Sequence, residues 1–334
     1  MTVTPQTNTN LQEIAKIIND HKTFVLSGHI NPDGDCLGSQ LALMYALRAL
    51  GKQADVLLAN DAVLNTGLKT IPGISELIYA EEYTATPEVF IACDVPNEER
   101  LGFSAAVKNR CAVSVTIDHH ASETTMSRYN YVDPDAPATA LLIWKLISFL
   151  DLVPDERIAE CAYTGLMTDT GRFQYQNTTR ECFEVAADMM NYGLKPDVVS
   201  ANIFQNNSLA SLYLNERMIS RAQIDLEQGL AISYILAKDF DDLGAIKADG
   251  DILVDTLRSI AGIRVAVILR EQGDIVRGSL RAKDETDVAS VARMFNGGGH
   301  RAAAGLSYDG PIEQAMEDIS KALIEAMDKS KGSK

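Results

Sequence analysis

The sequence lacks a membrane-spanning segment and a cysteine framework. No apolar run in its 334 residues approaches the roughly 18 residues that a spanning helix needs, and the best candidate, 139–150, is interrupted by Lys145. Residues 1–10 are polar and do not follow the basic-then-apolar pattern of a secretory signal. The five cysteines are odd in number and show no C-x-x-C spacing, which predicts neither disulfides nor a zinc finger. We therefore expect a cytoplasmic protein with no membrane contact.

Basic and aromatic side chains are also scarce. The chain has 30 Lys and Arg against 46 Asp and Glu, and its formal net charge is −16. Such a charge repels a long polyanion, so long duplex DNA is not an expected partner. Aromatic residues make up 6%, with one tryptophan, and offer no evident stacking platform for a long strand. The 46% hydrophobic and 23% charged composition is that of an ordinary globular protein, which excludes wholesale disorder.

The N-terminal part alternates short apolar runs with segments long enough to cross over a sheet, which predicts an α/β fold with a parallel sheet. The predicted strands are 23–27, 54–58, 88–93 and 112–117, and the predicted helices are 11–20, 36–50, 138–150, 155–168 and 179–191. Gly193 and Pro196 then mark a boundary. We predict a first domain over 1–192, a linker over 193–215 and a smaller mixed α/β domain over 216–330.

Carboxylates and imidazoles cluster where the predicted strands end, which is the edge at which open parallel sheets bind ligands. Four stretches carry them: His29 to Asp35, Cys93-Asp94, Asp118-His119-His120 and Asp169 before Thr-Gly. Taken singly, Asp33 and Asp35 would form an ordinary acidic turn, and Asp94 would cap a helix. Three of the chain's five histidines fall in these stretches, however, and that favours one shared site.

Carboxylates gathered in one cleft raise one another's pKa unless cations lie between them. Two divalent ions would balance the four negative charges of these carboxylates and could also bind imidazoles. The candidate ligands are Asp33, Asp35, Asp94 and Asp169, with His29 and His119 as additional donors. Oxygen and imidazole donors suit Mn²⁺ better than Ca²⁺, with Mg²⁺ as an alternative and Zn²⁺ less favoured in the absence of thiolates. Such a pair would acidify a water molecule and steady the attacking and leaving oxygens, which points to hydrolysis of a phosphate ester.

These motifs resemble those of the DHH/DHHA1 phosphoesterase family, which is named for the triplet Asp118-His119-His120. The resemblance spans roughly residues 23–310 and follows the family's order: His29-x-x-x-Asp33-x-Asp35, Asp94, Asp118-His119-His120, Asp169 and Gly297-Gly298-Gly299-His300. It implies that His29 and Asp33 bind one metal ion, that Asp35, His119 and Asp169 bind the other, and that Asp94 binds both. It further implies that Asp118 orients a neighbouring histidine and that His120 touches the scissile phosphate or its leaving group.

The second domain carries the expected substrate residues. Three consecutive glycines, Gly297, Gly298 and Gly299, let a backbone approach a ligand and present N–H groups to phosphate or sugar oxygens, although a triple glycine is more often a flexible turn. The resemblance implies that Arg281 and the glycine loop with His300 hold a nucleotide across an interdomain cleft. Arg100 and Arg172 are further candidates, for which a structural role is equally open.

The resemblance implies short substrates. Compact members of this family include nano-RNases and phosphatases of 3′-phosphoadenosine 5′-phosphate, and some act on cyclic dinucleotides or their linear products. We expect a manganese-dependent hydrolase of short RNA, linear dinucleotides and 3′-phosphoadenosine 5′-phosphate, with a homodimer left open. One alternative is a family II inorganic pyrophosphatase, because His29 to Asp33 and Asp118-His119-His120 would also serve its metal centre. The other is a nucleotide-binding regulator without turnover.

Overall fold

A computed structural model describes residues 6–121, 125–250 and 253–331. The chain divides into two compact units, Met1–Asn206 and Asn207–Lys334. The division falls within 193–215, the segment predicted as a linker, and most of that segment lies in the helix Pro196–Phe204 and the start of the helix Leu209–Ser220. Among the described residues, no helix is both long enough and apolar enough to cross a bilayer.

The first unit is built on a six-stranded sheet in which every pair is parallel. The strands are β1 (Thr23–Ser27), β2 (Gln53–Leu58), β3 (Ile78–Tyr79), β4 (Val89–Cys93), β5 (Val113–Asp118) and β6 (Tyr129–Val132), and their order in the sheet is β3-β2-β1-β4-β5-β6. The prediction of a parallel α/β fold is therefore confirmed. The predicted strands match β1, β2, β4 and β5, whereas β3 and β6 were not predicted.

Helices cover the sheet mainly on one face. They are α1 (Leu11–Asp20), α2 (Gly34–Ala49), α3 (Ser104–Lys108), α4 (Thr139–Ile147), α5 (Glu156–Asp169), α6 (Arg180–Met190) and α7 (Pro196–Phe204), with short 3₁₀ turns at Leu68–Thr70, Ile74–Glu76 and Glu98–Leu101. Phe24 and Leu26 point into the core under these helices other than α3, while Val25 points into a second, smaller core on the opposite face, where Val107 of α3 packs. Because both faces are covered, the strands are continuous apolar runs, which made them predictable.

Two glycines bring α2 and α5 into close contact. A Cβ on Gly38 would lie 2.4 Å from the carbonyl oxygen of Cys161, and a Cβ on Gly165 would lie 2.7 Å from Oδ1 of Asp35. Distances this short exclude any larger side chain without a backbone shift. The close packing holds together the two helices that carry Asp35 and Asp169.

The second unit contains a mixed sheet. Its strands are β7 (Gln223–Asp225), β8 (Leu230–Ile235), β9 (Val265–Gln272), β10 (Ile275–Ala282), β11 (Gly298–His300) and β12 (Ala303–Asp309), in the order β11-β12-β10-β9-β8-β7. Among the described strand pairs of this sheet, β8 and β9 run parallel and the other pairs run antiparallel. Five helices accompany the sheet: α8 (Leu209–Ser220), α9 (Ala237–Leu243), α10 (Leu253–Arg258), α11 (Val288–Met294) and α12 (Ile312–Lys331). The smaller mixed α/β fold predicted for this part of the chain is confirmed.

Candidate metal centre

The strand order places a candidate site at the carboxyl edge of the first sheet. From β1 the chain continues to β2 and β3 on one side, and it then crosses to β4, β5 and β6 on the other. The direction of winding therefore reverses between β1 and β4, and open parallel sheets bind ligands at such a switch point. His29 follows β1, Asp94 follows β4, and His119 follows β5 directly. Sequence positions up to 90 residues apart thus meet at one edge.

Asp33 and Asp35 lie at the amino end of α2. Asp33 is the N-cap, and its Oδ1 accepts hydrogen bonds from the backbone nitrogens of Asp35 (3.1 Å) and Cys36 (3.0 Å). This is the capping role that such a residue takes in many helices. The other oxygen, Oδ2, lies 3.8 Å from Nε2 of His29. Asp33 therefore both caps the helix and faces the histidine.

Asp35 is a fully buried carboxylate held by the first turn of α4. Its oxygens accept hydrogen bonds from the backbone nitrogens of Thr139 (2.6 Å) and Ala140 (2.8 Å), and from Oγ of Ser39 (3.1 Å). A helix amino terminus favours negative charge at this position. Burial and the charges of Asp94 and Asp33 nevertheless raise the pKa of Asp35 well above its usual range. The hydrogen bonds described for Asp35 thus come from backbone and hydroxyl donors, and no lysine or arginine is among these partners.

Asp94 occupies the centre of the cluster. Its Oδ2 lies 3.5 Å from Nε2 of His29, while its Oδ1 lies 3.5 Å from Nε2 of His119 and 3.5 Å from Nδ1 of His120. The residue is buried and has a φ of 63°, which is rare for a residue other than glycine and costs free energy where it occurs. Burial would raise the pKa of Asp94, but the three histidines lower it well below its usual range.

His29 and His119 present Nε2 to these carboxylates because their Nδ1 atoms face backbone carbonyl oxygens. Nδ1 of His29 lies 2.8 Å from the carbonyl oxygen of Ile30, and Nδ1 of His119 lies 3.2 Å from that of Ala136. Metal-binding histidines commonly donate their second ring nitrogen in this way. Nε2 of His119 also lies 3.3 Å from Oδ2 of Asp169 and 3.8 Å from Oδ2 of Asp35. The imidazoles therefore divide the carboxylates into two groups that share Asp94.

His120 has a different neighbourhood. Its Nδ1 lies 2.8 Å from Oδ1 of Asp118, which is buried at the end of β5. Burial would lower the pKa of His120, but the charge and hydrogen bond of Asp118 and the charge of Asp94 raise it to about 9. The pair fixes the orientation of the His120 ring.

The donor set is suited to binding divalent cations. In the described residues, ligand atoms of Asp35, Asp94 and His119 lie within 4.8 Å of one another, as do those of His29, Cys36 and Asp94. Burial would lower the pKa of His29, yet Asp33 and Asp94 raise it to about 10. The carboxylates thus draw positive charge onto an imidazole. Oxygen and imidazole donors with this demand for positive charge are suited to ions such as Mn²⁺ and Mg²⁺.

Two of the predicted substrate residues of the second unit, Arg281 and His300, are aligned across its sheet. Arg281 on β10 and His300 on β11 both pair with Ala303 on β12, one from each side. Directly opposed residues of antiparallel strands point to the same face, so Arg281 and His300 lie on one face of the sheet. The preceding Gly297 packs against β12, because a Cβ there would lie 2.1 Å from the carbonyl oxygen of Gly305.

The glycine stretch is a strand in the structure. Gly298 and Gly299 pair with Gly305 and Ala304 of β12, and Gly299 has a φ of 138°. A Cβ on Gly299 would lie 2.6 Å from the carbonyl oxygen of Ala303. These contacts give the glycines a packing role in addition to the ligand-binding role, which stays a prediction.

The two remaining arginine candidates lie in the first unit. Arg100 approaches the metal centre directly, with Nη2 3.1 Å from Nδ1 of His29. Arg172 has a φ of 63°, and its guanidinium lies over the ring of Phe204, 4.9 Å from the centroid. Of the contacts described for these two arginines, that of Arg100 with His29 involves a predicted metal ligand, and that of Arg172 with Phe204 does not.

Three supporting residues were not found from the sequence. Thr139 donates its hydroxyl to Oδ1 of Asp94 (3.0 Å) as well as its backbone nitrogen to Asp35. Sγ of Cys36 accepts a hydrogen bond from the backbone nitrogen of His29 (3.2 Å), and a Cβ on Gly28 would lie 2.0 Å from that sulfur. The sequence signal for Thr139 was its place in the first turn of the predicted helix 138–150, because a helix amino terminus favours an anion.

Comparison with known proteins identifies both units. Residues 23–166 match the model of the DHH family, N-terminal domain, and residues 227–329 match that of the DHHA1 domain. The bifunctional oligoribonuclease and PAP phosphatase NrnA of Thermus thermophilus is 30% identical over 303 residues, which cover 90% of this chain and 89% of that protein. The NrnA of Bacillus subtilis is 27% identical over 300 residues, covering 88% and 92%.

A solved structure shows the same fold along the chain. The crystal structure of an exopolyphosphatase-related protein from Bacteroides fragilis superimposes with a TM-score of 0.87 at 24% identity, covering 96% of this chain and 97% of the other. The resemblance inferred from the motifs is thus confirmed by sequence comparison, and the fold by the structure. The chain belongs to the DHH family of phosphoesterases and carries a DHHA1 domain after its DHH domain.

Proposed function

We propose that this protein is a metal-dependent hydrolase of short oligoribonucleotides, linear dinucleotides and 3′-phosphoadenosine 5′-phosphate. The observation that carries the proposal is the position of Asp94, whose two carboxylate oxygens face the imidazoles of His29 and His119 from a buried site. Two relatives named as oligoribonucleases and PAP phosphatases align with about nine-tenths of this chain, and their names support the proposed substrate class. The net charge of −16 also favours short over long nucleic acids.

The two groups around Asp94 would hold one ion each. His29 and Asp33 form the first group, and Asp35, His119 and Asp169 form the second, with Asp94 common to both. Divalent ions bound there would lower the pKa of an attacking water and stabilise charge on the phosphoryl oxygens. We infer Mn²⁺ as the preferred ion and Mg²⁺ as the alternative, because the donors are oxygens and imidazoles.

His120 and Asp118 would act on the scissile phosphate. Asp118 holds Nδ1 of His120 at 2.8 Å, which leaves Nε2 to contact the phosphate or the departing oxygen. A histidine oriented in this way can hand a proton to a leaving alkoxide, the usual contribution of a general acid. Asp118 is then a positioning residue and His120 the group that touches the substrate.

Binding of the nucleotide would fall to arginine, histidine and backbone groups. Arg281 and His300 lie on one face of the second sheet, and we propose that they bind the substrate's phosphate or sugar with the backbone of Gly297, Gly298 and Gly299. Arg100, which contacts His29, would contribute positive charge to the phosphate. Guanidinium groups suit this task because they bind phosphate through two parallel hydrogen bonds.

A product time course on a substrate panel tests the proposal. Protein stripped by a chelator is reloaded with Mn²⁺, Mg²⁺, Ca²⁺ or Zn²⁺ and given di- to decanucleotides, a cyclic dinucleotide, 3′-phosphoadenosine 5′-phosphate or pyrophosphate. We expect hydrolysis of the shortest RNAs and of 3′-phosphoadenosine 5′-phosphate, greatest with Mn²⁺. Faster release of orthophosphate from pyrophosphate than from any nucleotide would establish a pyrophosphatase instead. Tight nucleotide binding without turnover in Mn²⁺ would establish a regulator.

A further inference from the structure

A cavity opens at the carboxyl edge of the first sheet, on the outer side of β1. Its volume is about 370 Å³, within the range of small-molecule pockets, roughly 300–1,000 Å³. It lies where β2 and β3 end, and its floor includes the buried Leu58 and Ala80. The side chains used below also line it: Asn60, Asp61, Tyr79, Glu81, Glu82 and Phe103.

Two aromatic side chains are exposed in this cavity. Tyr79 is 46% exposed and Phe103 is 49% exposed, and both rings line the cavity. Exposed rings in a cavity provide a stacking surface for a flat ligand, and every nucleobase has a face that can stack on them.

The charge of the cavity restricts which chemical groups can bind in it. Its polar lining comes from Asp61, Glu81, Glu82 and Asn60, and none of the described residues that line it is basic. A phosphate would be repelled there. Carboxylates accept hydrogen bonds from N–H groups, so they suit a ring whose edge carries several donors. Guanine offers a ring N–H beside an amino group, whereas uracil offers one N–H between two acceptors.

One wall of the cavity contacts the loop that follows His29. Asn60 accepts a hydrogen bond at Oδ1 from the backbone nitrogen of Asn31 (3.1 Å), two residues after His29. The backbone nitrogen of Phe103 donates to Ala59 (3.0 Å). Neighbouring strands lie about 4.8 Å apart, so the ends of β1 and β3 are separated by about 10 Å. A ribose together with the base that it carries extends over a distance of this order from the phosphate.

We propose that this cavity is a nucleobase-binding subsite of the DHH domain. Tyr79 and Phe103 stack the base of a nucleotide whose phosphate lies at the metal centre, and Asp61 and Glu81 accept hydrogen bonds from its N–H groups. The subsite binds guanine better than uracil. The inference rests on the proposed function, because it names where one base of that substrate lies.

Steady-state kinetics of Phe103→Ala and Tyr79→Ala test the subsite. The substrates are linear diguanylate, linear diuridylate and a dinucleotide analogue in which both bases are replaced by hydrogen. Loss of a stacking ring is expected to raise KM for diguanylate about 5- to 100-fold and to leave KM for the abasic analogue unchanged. Asp61→Asn is expected to reduce the preference for diguanylate over diuridylate. Phe149→Ala is the matched control, because Phe149 is 44% exposed outside this cavity.

The kinetic outcomes separate the subsite from the proposed function. If the wild-type chain hydrolyses dinucleotides and Phe103→Ala and Tyr79→Ala leave KM for diguanylate unchanged, the subsite is wrong and the function stands. An equal rise in KM for the abasic analogue likewise overturns the subsite. Thermal unfolding of each variant checks that the exposed substitution has not disturbed the fold.

A binding measurement without turnover decides the subsite even if no nucleotide is hydrolysed. Saturation-transfer NMR with guanosine and chelator-treated protein reports contact between the base and the chain. We expect transfer to the base protons in the wild type and in Phe149→Ala, and its loss in the double variant Tyr79→Ala/Phe103→Ala. Transfer that persists in the double variant, or that is absent from the wild type, contradicts the proposal.

Discussion

The hydroxyl of Thr139 donates a 3.0 Å hydrogen bond to Oδ1 of Asp94, the carboxylate at the centre of the site. The backbone nitrogen of the same residue donates to Oδ2 of Asp35 at 2.6 Å. Thr139 is the first residue of α4, whereas Asp94 follows β4 and Asp35 lies in the first turn of α2. One threonine therefore fixes the relative positions of two carboxylates that come from different elements.

Thr139→Val is expected to weaken metal binding. The substitution removes the hydroxyl that orients Asp94 and keeps the side-chain volume and the backbone donor to Asp35. Loss of such a supporting hydrogen bond typically reduces metal affinity about 10- to 100-fold. Competition with a chromophoric chelator measures the affinity for Mn²⁺, and Thr139→Ser is expected to retain it.

Thr116→Val is the control for this prediction. The hydroxyl of Thr116 on β5 donates to Oγ of Ser127 at 2.7 Å, and both residues are buried. Its loss should cost folding stability of about 1 kcal/mol without changing the affinity for Mn²⁺. Equal effects of the two substitutions on affinity would show that Thr139 has no specific role at the site.

Asp94→Asn is expected to abolish turnover and lower the number of bound metal ions. The amide retains the shape of the side chain but loses the negative charge that both groups of the site share. Metal content after gel filtration and hydrolysis of a dinucleotide at saturating Mn²⁺ measure the two effects. Asp133→Asn serves as the control, because Asp133 is also buried and follows β6 on the same sheet edge. Retained activity of Asp94→Asn would refute the assigned role.

Removal of the metal ions is expected to destabilise the first unit selectively. An ion at 100 times its dissociation constant contributes about 2.7 kcal/mol to the folded state that binds it. Four predicted ligand carboxylates would also repel one another once the ions leave. Hydrogen exchange with and without a chelator measures the effect. We expect faster exchange in α2 and α4 and unchanged exchange in β9 and β10, and faster exchange in all four would contradict a site confined to the first unit.

The fold was predictable wherever burial imposes a pattern on the sequence. The predicted limits 11–20 and 23–27 agree with α1 and β1, because α1 is capped by Asn10 and β1 is apolar on both faces. The two-residue strand β3 escaped prediction, since Ile78 and Tyr79 lie in a run of only four apolar residues, 77–80. Strands this short depend on the neighbours with which they pair, here Leu57 and Leu58, and this pairing is not visible locally.

The sequence predicted the candidate metal ligands but not the residues that hold them in position. Carboxylates and imidazoles after parallel strands must meet at one edge, which is why Asp94 and His119 could be placed together. The contact of Thr139 with Asp35 joins residues 104 apart, and no local pattern indicates it. The left-handed backbone of Asp94 was not predicted either, because aspartate adopts that conformation only occasionally and its presence in a sequence does not indicate it.

Arg281→Ala is expected to raise KM for nucleotides and to leave metal content unchanged. Arg281 lies on β10 in the second unit, and its guanidinium is half-buried beside the carbonyl oxygen of Leu280. A lost charge-assisted contact with phosphate costs about 1.5–3 kcal/mol, a rise in KM of about 10- to 100-fold. Arg277→Ala is the control, because Arg277 lies on the same strand and bonds to Ser307. Loss of bound metal in Arg281→Ala would contradict the assigned division of roles.

The stability of the second unit is expected to fall in acid because of Asp239. This carboxylate is 3% exposed and accepts hydrogen bonds from Arg217 (2.6 Å), from both terminal nitrogens of Arg221, and from the backbone nitrogen of Leu236 (2.8 Å). Burial would raise the pKa of Asp239, but these partners lower it to about 2. A carboxylate whose pKa is lower in the folded than in the unfolded protein stabilises the fold at pH values above the pKa of the unfolded state. The contribution of Asp239, about 2 kcal/mol, is therefore lost as the pH falls from about 4 to about 2.

Hydrogen exchange of β8 and α9 between these pH values measures the loss, since the single tryptophan, Trp144, lies in the other unit and does not report on it. Asp239→Asn should be less stable near neutral pH and should show a shallower loss of protection in acid, because the amide cannot be protonated in this range. Asp242→Asn is the matched control: Asp242 is 41% exposed and 3.4 Å from Arg217, and exposed pairs contribute about 0–1 kcal/mol. An acid dependence that survives intact in Asp239→Asn would assign the effect to other carboxylates.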